Sequence, residues 1–305
     1  MAKLMSKKTK EIVQTSTVIV LAVLFIIFYV VYPLIVIPNM TARPDRDKFD
    51  DPEYAVPNDP SFFTQIGLAP DTFAVMSNDN IRLAALYFSS PQPNSIPKGT
   101  AIILHPDDTD RTAIADLIQP MLDNGLAVVI YDQRASGKSG GKFHYAGNLE
   151  ADDLTELISW LSIHGRLPSP VAVIGFETGA DAAINADRNE NLISKVISID
   201  PALTTSKWMN RRMDRYGVLS ILLPTMTYFW WYQKVCSYPD DRTGVDDIKP
   251  LETPALVLVS DPNELAGKEI ARLRSISSPE KLQIELSPTA KEELYRRIIS
   301  GVGSK

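Results

Sequence analysis

The chain holds one cysteine, Cys236, in 305 residues. No intramolecular disulfide can form, and a multi-cysteine metal site is excluded. Histidine is nearly as scarce, with only His105, His144 and His164, which narrows every scheme that needs an imidazole. An excess of basic residues is missing too. Lys and Arg total 31 against 37 Asp and Glu, a formal net charge of −6. That balance excludes a general nucleic-acid binder, which needs cations to neutralise phosphates. No internal repeat is visible. A hydrophobic share of 45% with 22% charged residues excludes wholesale disorder.

Charge is also lacking locally. No charged residue falls between Glu11 and Arg43, and Val18 to Ile37 is almost wholly aliphatic or aromatic. About twenty helical residues span ~30 Å, the hydrocarbon thickness of a bilayer. A cleaved signal peptide has a shorter apolar region, of about 7–15 residues. We therefore read residues 1–11 as a basic tail and 12–37 as a transmembrane anchor. Pro33 is expected to kink its last turn, with Tyr29 and Tyr32 at the interface. Lys3, Lys7, Lys8 and Lys10 precede the span, and Arg43, Arg46 and Lys48 follow it. The slight bias favours a cytoplasmic N-terminus and a single pass, with the globular part on the periplasmic, extracellular or lumenal side. Residues 38–71, rich in Pro, Asp and Arg, read as a linker or strap.

Residues 72–305 alternate between strand-like and helix-like segments. Phe73–Met76 and Ile81–Phe88 flank the turn signal Ser77-Asn78-Asp79-Asn80 and predict a hairpin. Apolar runs at Ala101–Leu104, Ala127–Tyr131, Val171–Ile174, Lys195–Ile199, Ala255–Val259 and Leu282–Leu286 read as buried parallel strands. Leu154, Leu157, Ile158 and Leu161 have the i, i+3, i+4, i+7 spacing of an amphipathic helix. The class is α/β, a mostly parallel sheet flanked by helices, with an insertion at about 203–249 where a short lid would lie.

Four segments in this order resemble the α/β-hydrolase superfamily, particularly its membrane-anchored serine-hydrolase branch. They are I-I-L-H-P (102–106), V-V-I-Y-D-Q-R-A-S-G-K-S-G-G (128–141), V-I-G-F-E-T-G-A (173–180) and P-A-L-V-L-V-S-D-P-N-E (254–264). The third stands where the superfamily has its G-x-S-x-G nucleophile elbow. S-G-K-S (136–139) also evokes a phosphate-binding loop, but Asp132 stands where that loop needs glycine.

The resemblance implies a catalytic triad, and this chain departs from it. Glu177 takes the nucleophile's place, Asn263 the acid's and Ala290 the histidine's, although Asp261 and Glu264 lie close to the acid's. No histidine follows the last strand, and Thr289 and Glu292 read instead as a capping box opening the final helix. Pro106 follows His105 where the superfamily has glycine, and proline brings no N–H to an oxyanion. If the chain is active, Glu177 with His105 is the pair expected to carry the reaction. The acidic turn Asp107, Asp108, Asp110 is expected to cap the following helix.

The leading expectation is a membrane-tethered chain that has lost hydrolysis and serves as a structural or binding subunit of a membrane complex. An active ester or amide hydrolase using Glu177 is the alternative. A lipid or small-ligand binder with a lidded cleft is another. No metal and no cofactor are expected, and the partners are the bilayer and an integral membrane protein or complex. The expected contact patch joins Arg211, Arg212 and Arg215 to Tyr228, Phe229, Trp230 and Trp231, since Arg and aromatics are frequent hot spots.

Overall fold

The computed structural model describes residues 7–42, 60–89, 96–186, 191–215, 217, 230, 232–234, 236 and 245–303. Its principal helices are α1 (Lys7–Ile26), α2 (Tyr32–Thr41), α3 (Leu149–Ile163), α4 (Thr178–Ala186), α5 (Thr205–Arg215) and α6 (Lys291–Gly303). The chain divides into two compact units, Met1–Thr41 with Met209–Pro239, and Ala42–Trp208 with Asp240–Lys305.

In the smaller unit, α1 and α2 are joined by a π-helical turn, Ile27–Val31. Lys8–Thr41 makes one run of 34 residues, long and apolar enough to cross a membrane. Two of its exposed polar side chains bond to the carbonyl one turn back in the helix. Thr17 Oγ1 donates to Val13 O at 2.8 Å and Asn39 Nδ2 to Ile35 O at 2.8 Å. The helix departs from the expected span of 12–37 in three ways, the first being that it already begins at Lys7. It continues past Ile37 to Thr41, and the irregularity lies before Pro33 as a widened turn. A proline clashes with the preceding turn and removes one of its bonds, and a π-type turn accommodates both.

The far end of this helix is packed, with Pro33, Ile37, Met40 and Thr41 buried. Arg212 Nε donates to Met40 O at 2.5 Å, and Thr41 Oγ1 lies 3.4 Å from Cys236 Sγ. Terminal carbonyls of a helix need such donors. Arg212 is therefore fully buried, which corrects its assignment to the contact patch. Arg215 and Trp230 are exposed and Arg211 is half-buried. Tyr228, Phe229 and Trp231 lie outside the described residues, as does part of the expected lid.

In the larger unit the strands are β1 (Asp71–Met76), β2 (Arg82–Phe88), β3 (Thr100–Leu104), β4 (Ala127–Tyr131), β5 (Val171–Phe176), β6 (Ile193–Ile199), β7 (Ala255–Val259) and β8 (Leu282–Leu286). They form a sheet in the order β1-β2-β4-β3-β5-β6-β7-β8. The β1–β2 and β2–β4 pairs are antiparallel and all others parallel. The predicted hairpin is present, its turn closed by Ser77 N–H on Ile81 O at 2.9 Å.

Alternate strand residues supply two core layers. Ile102, Leu104, Val129 and Tyr131 face Leu154, Leu157, Ile158 and Leu161 of α3. Ala101, Ile103, Val128 and Ile130 join Ile114, Leu117, Ile118 and Met121 on the other side. Full burial of each large aliphatic side chain contributes about 1.5–3 kcal/mol, so both faces hold the sheet. The strap carries a short helix, Pro60–Gln65. It fixes Phe63 edge-on against Phe88, ring centroids 5.5 Å apart.

Candidate active site

β5 runs into α4 through a single residue, Glu177, whose φ is +49°. Its N–H donates to Ile199 O of β6 at 2.9 Å, and its carbonyl accepts from Ala180 N–H at 2.9 Å. A non-glycine residue in this region costs on the order of 1–3 kcal/mol, and such strain persists where the surroundings over-determine it. Here the surroundings are two glycines. A Cβ on Gly175 would meet Gly179 O at 2.1 Å, and one on Gly179 would meet Leu104 Cβ at 2.7 Å. Neither neighbour is a mobile side-chain tip. Gly175→Ala is expected to destabilise the fold by about 2–3 kcal/mol through overpacking, read as a lower denaturant midpoint. An unchanged midpoint would show that the turn yields more than this packing allows.

Two backbone N–H groups meet at the turn. Thr178 N–H opens α4 and donates to Asp107 Oδ1 at 3.2 Å. Asp107 N–H, from the loop after β3, donates to Glu177 Oε2 at 3.1 Å. Pro106 itself has no N–H to give, and the N–H of the next residue is spent on Glu177. The bond from Thr178 corrects the role of Asp107, which caps the elbow helix. Asp110 does cap the segment that follows it, accepting from Thr112 N–H at 2.7 Å.

His105 is buried and committed elsewhere. Its Nε2 accepts from Gln133 N–H at 3.0 Å. The neutral ring therefore carries its proton on Nδ1, 2.9 Å from Pro106 O. The lone pair a general base would use is already engaged. The structure does not supply the expected Glu177–His105 pair with a free base, and His105 serves to fold the loop.

The remaining positions separate. Asn263 lies in the one-turn helix Pro262–Leu265 and bonds back to Asp261, which caps that helix. Ala290 stands just before α6, where its carbonyl accepts from Glu293 and Leu294 N–H. The final helix thus starts one residue later than the expected Thr289 box. Sequence reasoning missed Asp200, the residue after β6. The β5–β6 register pairs Phe176 with Ile199, so Glu177 and Asp200 end neighbouring strands, and Asp200 too has positive φ, +55°. Its carboxylate accepts Ser260 N–H and Oγ–H, both at 2.5 Å. Trp208 was missed as well. Buried at the start of α5, its Nε1 donates to Thr178 Oγ1 at 2.8 Å, closing one side of the elbow.

Beneath the loop after β4 lies a buried polar cluster. Arg134 grips Asp153 with Nε at 2.8 Å and Nη2 at 2.6 Å, and reaches Asp79 with Nη1 at 3.0 Å. Glu150 accepts Tyr145 N–H on Oε1 at 2.8 Å, while its Oε2 is buried with no hydrogen-bond partner. Burial pushes the Glu150 carboxyl up to about 7, and pushes Asp153 up to about 6 against the pull of Arg134.

The comparisons agree with this fold. The chain resembles an esterase of Pyrococcus furiosus, with 21% identity over 79% of this chain and 93% of that one, at a TM-score of 0.60. An esterase of Exiguobacterium antarcticum is similar at 17% identity, covering 77% of this chain and 100% of its own, at 0.54. The α/β hydrolase GrgF from a Penicillium species is similar at 14% identity, 77% and 98% coverage and 0.52. At such identities the likeness carries the α/β-hydrolase fold. No curated protein sequence matches the chain. A family description, X-Pro dipeptidyl-peptidase (S15 family), matches residues 42–221, more than half of the 305, and on that match the chain belongs to the S15 family.

Proposed function

We propose that this chain is a membrane-tethered hydrolase of ester or amide substrates in which Glu177 acts as general base. The observation that carries the reading is the strained elbow, which holds a carboxylate at the start of α4 with one oxygen fixed by Asp107 N–H. Strain of this kind concentrates at functional sites. Family membership and the likeness to esterases support hydrolysis over a purely structural role. A covalent route through Glu177 needs a second base to clear the acyl intermediate, and His105 has no lone pair to offer. Direct attack by water avoids that need. Glu177 takes a proton from water, the hydroxide adds to the acyl carbon, and the proton passes to the departing alcohol or amine. The N-terminal helix tethers the chain to the membrane, with the N-terminus cytoplasmic and the globular part on the other side.

The test is turnover of p-nitrophenyl butyrate and Gly-Pro-p-nitroanilide by the full chain in mild detergent. Glu177→Gln is expected to lower kcat by about 10²–10⁴. If the wild type is no faster than this variant, hydrolysis by Glu177 is wrong. A second reading would then stand, that of a non-hydrolytic binding subunit of a membrane complex, with Arg211, Arg215 and Trp230 as its contact patch. One observation favours it: the N–H groups at the elbow are held by the chain's own carboxylates.

A further inference from the structure

An acyl oxygen that turns into an oxyanion needs N–H donors aimed at it. In hydrolases of this fold one comes from the residue after the nucleophile's position. Here that donor is Thr178 N–H, and it points at the carboxylate of Asp107 at 3.2 Å. We propose that Asp107 is a latch, its carboxylate standing in the place of the substrate's carbonyl oxygen. Cleft opening is then a side-chain movement. This rests on the acyl-hydrolase reading above.

The loop carrying Asp107 is built so that its side chain can move while its backbone stays. Gln133 holds His105 twice, through N–H on Nε2 at 3.0 Å and through Nε2 on His105 O at 2.7 Å. Thr109 Oγ1 donates to Pro106 O at 2.7 Å. These bonds fix the backbone on both sides of Asp107, and with it the N–H that positions Glu177. Asp107 as a residue is only half-buried, so its side chain can turn from Thr178 toward water. The Glu177 carboxylate beside the vacated N–H disfavours an incoming anion by like-charge repulsion. The ligand class that fits is therefore a neutral carbonyl, an ester or amide, in preference to a free carboxylic acid.

A plain helix cap and a latch predict different results for Asp107→Ala. Loss of a cap lowers stability and leaves ligand binding alone. Removal of a latch frees a donor, and one oxyanion-type donor is worth on the order of 10²–10³ in rate. The probe is phenyl trifluoromethyl ketone, an acyl mimic followed by fluorine NMR, titrated into the full chain in detergent beside p-nitrophenyl butyrate turnover. Asp107→Ala is expected to bind the ketone at least about 10-fold tighter than the wild type and to raise kcat/KM by a similar factor. The isosteric Asp107→Asn keeps a weaker oxygen acceptor and is expected to bind about 3-fold tighter; it decides the matter if the alanine variant does not fold. Tighter ketone binding with no ester turnover in any variant would sustain the latch and sink the hydrolase reading. Unchanged ketone affinity in both variants would overturn the latch, whatever the turnover.

Discussion

Replacing Arg134 by Met is expected to cost about 3–5 kcal/mol of stability, the penalty for removing one partner of a buried pair. Asp153 is 1% exposed and receives two charge-assisted bonds from the guanidinium, at 2.6 and 2.8 Å. Without them the carboxylate is left in a low-dielectric site, and the nearby Glu150 carboxylate adds repulsion. Asp79 matters less, because its side chain is 48% exposed and water replaces the lost bond. The measurement is chemical unfolding of Arg134→Met, Asp153→Leu and the double variant at pH 8. The double variant should recover most of the loss, since it removes the orphaned charge as well. If the two single losses simply add, the pair is not the unit that matters.

Stability should also fall as pH rises from about 4.5 to about 7. Glu150 carries a carboxyl raised to about 7 in the folded chain, from an ordinary value of 4.5. The folded state therefore holds this proton where the unfolded chain has lost it. The contribution is complete below the unfolded value and disappears as pH passes the folded one. A difference of that size corresponds to about 3 kcal/mol. Asp153 adds in the same direction at lower pH, between its ordinary 3.8 and about 6. Above pH 6 the decline belongs mainly to Glu150. Glu150→Gln keeps an oxygen for Tyr145 N–H and removes the titration. It should flatten the curve between pH 6 and pH 8, and at pH 8 it should be the more stable chain. Parallel curves for the two proteins would show that Glu150 is not the titrating group.

These expectations differ in how far they were visible in the residue order. The eight strands and helix α3 were legible because their signals are local. An apolar run buried on both faces, or a stripe at helical spacing, fixes an element wherever it lies. The elbow was legible for a similar reason. Gly175 and Gly179 bracket Glu177 at the spacing of a strand-to-helix turn, and the fold then requires that no Cβ stand at either position. The membrane-length helix was legible from length alone, although its last turns, Met40 and Thr41, were read as linker.

What the site does with those elements depended on bonds between distant residues. Asp107 and Thr178 are 71 residues apart, Asp200 and Ser260 are 60 apart, and Trp208 and Thr178 are 30 apart. No local pattern distinguishes an aspartate that caps its own helix from one that caps a helix two strands away. Asp110 and Asp107 are three residues apart and do these two different things. Arg212 shows the same limit from the other side. Its sequence neighbours are basic and amphipathic, so it reads as surface, yet a helix end lacking donors draws its guanidinium under cover. Residue order by itself determined the fold class, the position of the membrane-length helix and the place of the elbow, because periodicity, length and glycine sterics act over a few residues. Only the tertiary structure decided that Asp107 N–H meets Glu177, that His105 has no lone pair to spare and that Asp200 stands beside the elbow. Those follow from strand order and register, which bring together residues that the chain keeps far apart.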